Sequence, residues 1–145
     1  MQSHWARRVS LWAPPVLYAL AIFFSSSLTA PPGPPSHLTD KHVHLLVYAG
    51  LALVLVRALS GGRWSGVTVA TTLQAAAIAI AYAVSDEWHQ AFVPNRHSDV
   101  ADLVADAAGA ALAVAAVGAI TRWGHRVKRT DSTIERAPGK VAHTP

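Results

Sequence analysis

The sequence predicts an all-α, polytopic membrane protein: a small bundle of four transmembrane helices with both termini cytoplasmic. Three observations predict it. Charged residues are 14% of a chain that is 52% apolar, against about 25% charged in an ordinary soluble domain. The few charges leave four long gaps, at residues 9–39, 42–56, 64–85 and 107–121. None of these runs alternates with the period of a strand, and the last two are dominated by alanine, a strong helix former. A soluble four-helix bundle is the competing reading. It is set aside because the first and third runs lack the polar face that a surface helix needs.

The elements follow in order. A bilayer core takes about 20 predominantly apolar residues as helix. Segment one, Leu11 to Leu28, meets this, with Pro14 and Pro15 in its first turns, where proline is tolerated. Arg7 and Arg8 precede it, so a cleaved signal peptide ending at Ala30 is an alternative. Leu28, three residues before that cut, is too large, and Pro31 would follow it, so segment one is read as a retained anchor. The stretch Pro31-Pro32-Gly33-Pro34-Pro35 is then an extended external loop. Segment two runs from Lys41 to Ser60, with Arg57 snorkelling to the interface. Gly61-Gly62 makes the turn into segment three, Trp64 to Val84. Segment four starts near Val100, which draws Asp102 and Asp106 into the helix. Ala79, Ala83, Gly109, Ala113 and Gly118 read as small residues that let helices approach. The organisation is thus a basic cytoplasmic N-terminus (1–10), a transmembrane domain (11–121) and a basic cytoplasmic tail (122–145), read as disordered from Gly124 onward.

The net charge is +4, with no cysteine. Disulfide frameworks and thiolate metal sites are excluded. The basic residues are distributed as topology determinants. Arg7, Arg8, Arg57, Arg63, Arg122, Arg126, Lys128, Arg129, Arg136 and Lys140 fall on one side of the four spans, and only Lys41 and Arg96 on the other. The richer side is cytoplasmic by the positive-inside rule, which places the chain as multi-pass in the cell membrane. Nucleic acid is not an expected partner. Membrane lipids are, and the basic tail meets anionic headgroups at about 1 kcal/mol per residue.

Six of the eight acids fall on the outer side: Asp40, Asp86, Glu87, Asp99, Asp102 and Asp106. Acids contribute little to orientation, so topology does not require this clustering. Lys41, His44 and Tyr48 are spaced i, i+3, i+7 and share a helix face, with Asp40 as a candidate N-cap. Asp86 and Glu87 end segment three, where each opposes the helix dipole by about 0.3–1 kcal/mol. Arg96 is the expected compensating cation. Gln90 shares a face with both acids, while Trp88 and Phe92 suit an interfacial aromatic belt. Asp99, Asp102 and Asp106 again follow i, i+3, i+7, and Asp99 or Ser98 is a candidate N-cap. Asp106 lies about 10 Å along that helix from Asp99. An ionised Asp at the bilayer centre costs about 3 kcal/mol, so Asp106 is expected to face the bundle and find His44, Lys41 or Arg96.

No metal site and no cofactor is predicted. His42 and His44 point to opposite sides of a helix, and no HExxH pair, phosphate loop or G-x-S-x-G elbow occurs. His89 and His97 lie close enough in sequence to share an ion, and a carboxylate-rich site for a hard divalent cation is the alternative.

Two stretches together resemble the VanZ-like family. They are Asp40-Lys41-x-x-His44-x-x-x-Tyr48-x-x-Leu51 and Asp86-Glu87-x-x-Gln90-x-Phe92-x-Pro94-x-Arg96-x-x-Asp99-x-x-Asp102. The resemblance extends over about residues 10–121. It implies a small bacterial multi-helix membrane protein of the cell envelope; the family's founding member is linked to teicoplanin resistance. Asp106 departs from the pattern, since many members have Asn there.

The expected function is an outward-facing polar site that binds an anionic envelope group, such as a lipid-linked cell-wall precursor, and influences glycopeptide susceptibility. Lys41, His44 and Arg96 would hold the anion, with Tyr48, Asp86, Glu87, Gln90, Asp99, Asp102 and Asp106 around them. One alternative is an enzyme, with Glu87 and Asp99 or Asp102 as acid and base or as ligands of a divalent metal. A proton carrier relaying through His44 and Asp106 is another, although no inverted repeat is evident. The last is a purely structural cluster locking helix ends together. The oligomeric state is not predicted.

Overall fold

The computed structural model describes residues 3–30, 33 and 37–135, with side chains to residue 124. It contains four helices: α1 (His4–Ser26), α2 (Asp40–Leu59), α3 (Val69–Gln90) and α4 (Val100–Glu135). Each is long and apolar enough to cross a membrane, α4 over Val100–Gly124. There is no strand among the described residues. Large apolar side chains face outward on all four, among them Leu17, Phe24, Leu46, Leu73, Val104 and Leu112. A soluble bundle would bury them. Trp88 and Phe92 are exposed at one end, and Trp5, Trp64 and Trp123 belong to the other, as aromatic belts require.

The helices begin where side chains cap them. Ser3 Oγ accepts the Ala6 N–H at 3.2 Å, so α1 starts at His4, ahead of the predicted Leu11. Pro14 and Pro15 therefore lie inside the helix. Pro14 has no N–H for the Ser10 carbonyl four residues earlier. Arg57 of α2 supplies the missing donor, its Nη1 standing 3.1 Å from that oxygen. Thr39, not Asp40, caps α2; it forms a capping box with His42, which accounts for that histidine. Thr68 and Thr71 form a second box at the start of α3, so Trp64–Gly66 is a separate turn of 3-10 helix and the predicted start at Trp64 is too early. Asp99 caps α4, its Oδ1 accepting the Ala101 N–H at 2.8 Å.

Turns close the bundle. Gly61 and Gly62 both take left-handed φ values, +66° and +71°, which glycine adopts without steric cost. Arg7 Nη2 donates to the Gly61 carbonyl at 3.0 Å. The loop of prolines, expected to be external, lies, apart from Gly33, outside the described residues. Gly124 is not left-handed, and α4 passes through it to Glu135. Residues 124–135, expected to be disordered, are helical; 136–145 lie outside the described residues.

The core runs between α2 and its neighbours. Ala52, Ala75, Ala79, Ala83 and Ala110 are fully buried, with Tyr48, Leu51 and Leu55 filling the space between. α2 and α4 approach closely at Gly109, where a Cβ would collide with the Leu45 carbonyl oxygen. Gly118, predicted to serve the same purpose, faces open space. α1 is held to α3 by Tyr82, whose hydroxyl donates to the Ala19 carbonyl at 2.6 Å. The up-and-down order brings the end of α1, the start of α2, the end of α3 and the start of α4 together. That polar end carries the site. The opposite, basic end carries Arg7, Arg57 and the glycine turn.

Candidate functional site

Three polar groups stand at the polar end. In the first, Lys41 Nζ on α2 reaches Asp102 Oδ1 at 2.7 Å and Asp99 Oδ2 at 3.0 Å, joining α2 to the start of α4. The Ala101 N–H, and after it the Lys41 ammonium, hold the Asp99 carboxyl below its ordinary 3.8. This ion-paired trio uses the i, i+3 spacing of the two acids, as the sequence anticipates.

The second group lies deeper, among α2, α3 and α4. His44 Nδ1 is 3.0 Å from Asp106 Oδ1, and Asp106 is only 1% exposed. Of the three partners offered to Asp106 by the sequence, the fold selects His44. The other ring nitrogen of His44 faces Asp40 at 3.9 Å. Glu87, 6% exposed, accepts the Asp99 N–H on Oε2 at 3.1 Å. Its end of α3 thereby meets the first turn of α4. Glu87 Oε1 is buried and has no hydrogen-bond partner.

Asp86 centres the third group. Ser26 Oγ donates to its Oδ1 at 2.6 Å; Gln90 Nε2 and the Tyr48 hydroxyl reach Oδ2 at 3.2 and 3.4 Å. Three neutral donors from α1, α2 and α3 thus satisfy this buried carboxylate. The expected compensation by Arg96 is not made: among the described residues Arg96 forms no ion pair with an acid. Instead its Nη2 donates to the Ser25 carbonyl at the end of α1, at 3.2 Å. Its Nε is buried without a partner. Asn95, immediately before Arg96, is left-handed, with φ 63°. His89, free to bind metal in the sequence reading, stacks on Phe23 at 4.6 Å between ring centres and meets Ser27 Oγ at 3.0 Å.

A cavity of about 300 Å³ opens between α1, α2 and α3. Its polar wall is Ser25, Ser26, Asp40, His44, Asp86, Gln90 and Arg96; its apolar wall includes Ala21, Ile22, Val43 and Val47, with Tyr18 and Tyr48 between. Of the ten residues expected in a binding site, His44, Tyr48, Asp86, Gln90 and Arg96 line this space. Lys41, Asp99 and Asp102 form the separate trio, and Glu87 and Asp106 stand behind His44. The sequence reading missed Tyr18, Ser25 and Ser26. The run Ser25-Ser26-Ser27 at the end of an apolar span was the available signal.

A bundle of four membrane-length helices with its polar side chains collected at one end defines a small polytopic membrane protein. The chain belongs to the VanZ-like family: the VanZ/LLP1 family model matches residues 15–121. No curated protein and no solved structure matches it.

Proposed function

We propose that the cavity binds the headgroup of an anionic envelope amphiphile, with Arg96 as the anion contact, in a multi-pass protein of the bacterial cell membrane whose polar end faces outward. The observation that carries this reading is the buried, unpartnered Arg96 Nε at a cavity with an apolar wall. A guanidinium uses its donors in fork geometry toward phosphate or carboxylate. Only Nη2 is engaged, on a backbone carbonyl. Asp40 across the space would accept from a hydroxyl or ammonium group beside that anion. The complement is a headgroup bearing an anion and neighbouring donors, with its chain along Ile22 and Val47. A lipid-linked cell-wall precursor has this chemistry, and family membership supports an influence on glycopeptide susceptibility. Lys41 is assigned no direct role, because Asp99 and Asp102 already bind it. The same pairing disfavours those two acids as the catalytic partners of Glu87.

The test is titration of the protein in lipid nanodiscs with a lipid-linked cell-wall precursor. The wild type is expected to bind, and Arg96→Ala to bind at least about tenfold more weakly, the scale of one lost charged contact of about 1.5 kcal/mol. Equal affinities overturn the reading. Cells carrying Arg96→Ala should keep normal protein levels and change in glycopeptide sensitivity.

A further inference from the structure

The buried acids behind the cavity lack enough positive charge. Glu87 and Asp106 are 6% and 1% exposed, and His44 is the one base between them. Lys41 is held by Asp99 and Asp102, and Arg96 pairs with no acid among the described residues. A buried carboxylate needs a counter-charge or a full set of donors. Asp106 has one bond, from His44. Glu87 Oε2 has one, and Ser98 stands beside the same carboxylate, yet Oε1 has none.

From this geometry we infer that His44, Glu87 and Asp106 form a binding site for one divalent transition-metal ion of the Zn²⁺ type. One ligand atom from each lies within 4.8 Å of the other two. Tetrahedral Zn²⁺ at about 2.0–2.1 Å from N and O donors sets its ligands about 3.3 Å apart. The His44–Asp106 pair, at 3.0 Å, already has that spacing, and the Glu87 oxygen, within 4.8 Å of both, has to move in by at most about 1.5 Å. One imidazole with two carboxylates favours a borderline ion over Mg²⁺ or Ca²⁺, whose preferred ligands are all oxygen. The ion takes the place of the hydrogen between His44 Nδ1 and Asp106, and the imidazole then carries its N–H on Nε2, which faces Asp40. The ion also supplies the two positive charges that the buried acids require, and it ties α2, α3 and α4 together. Three protein ligands leave a fourth position for water. The set is invisible in the sequence because each ligand comes from a different helix. This inference does not rest on the anion-binding reading.

The experiment is metal binding by the full chain in detergent, stripped with chelator and titrated with Zn²⁺ and with Mg²⁺. The expected result is one Zn²⁺ per chain, bound at least tenfold tighter than Mg²⁺. Glu87→Gln and Asp106→Asn should each weaken Zn²⁺ binding at least tenfold, whereas Asp99→Asn should leave it unchanged. Co²⁺ added to the stripped wild type reports independently of any variant: visible d–d absorption of a four-coordinate ion is expected, displaced by Zn²⁺. Absence of both Zn²⁺ uptake and the Co²⁺ bands overturns the proposal. So does Zn²⁺ binding that survives Glu87→Gln, or that is lost through Asp99→Asn instead.

Discussion

At the basic end of the bundle, arginines complete the backbone. Arg7 donates to the Gly61 carbonyl and Arg57 to the Ser10 carbonyl that Pro14 leaves open. At the polar end the same kind of side chain stops short. Arg96 makes one bond to a carbonyl and keeps a buried Nε without a partner, and Glu87 keeps a buried Oε1. Both buried orphan side-chain atoms of the described residues lie at this end. Orphans of this kind cost about 1–3 kcal/mol each, so a bundle shaped for stability alone would lose them. The contrast separates an end that maintains the fold from an end with donors and acceptors free for something else.

Substitutions can break that contrast. The largest effect is expected from Gly109→Ala. Its new Cβ meets the Leu45 backbone carbonyl beside His44, and the helices must part. Overpacking costs about 3 kcal/mol or more when backbone must move. Thermal melting in detergent should show a large fall, and a melting point unchanged from wild type would refute the close approach. Asp86→Ala comes next, since it strands Ser26, Tyr48 and Gln90 around an empty acceptor. A loss of about 2 kcal/mol is expected from the same melts.

A smaller effect tests the basic end by a double-mutant cycle. Arg57→Ala should cost about 1 kcal/mol in the wild type. In a Pro14→Ala background the helix regains its own donor for Ser10, and the same change should cost nearly nothing. Additive effects would show that Arg57 does not serve that carbonyl. The smallest effect is a pH dependence. The Asp99 carboxyl is held below its ordinary 3.8 in the folded chain. Its stabilisation is therefore complete above that ordinary value and is lost as pH falls through the lower, folded one. Acid melting curves of Asp99→Asn should be flatter than wild type in that window.

The four helices were legible because hydrocarbon length selects against charge, and gaps in charge are a one-dimensional signal. Facing was legible too. The cost of a charge in hydrocarbon put Asp106 toward the bundle, and the fold places it there. Helix ends were less so. Arg7 and Arg8 bound the apolar span but do not stop the helix, which starts at the Ser3 cap. Contacts between helices were hardest. Spacing within one helix says which residues share a face, not which residue 58 or 62 positions away they meet. Hence Arg96 was matched to the acids that end α3, although in the fold it meets the Ser25 carbonyl of α1.

The bond between Arg57 and Ser10 also bears on how the chain is made. α1 leaves the ribosome with its Ser10 carbonyl open, and the donor follows 47 residues later. No protein partner exists for that carbonyl until α2 has been synthesised and has folded back. The smallest piece in which that carbonyl meets a protein donor is the α1–α2 hairpin, closed by an arginine at its far end.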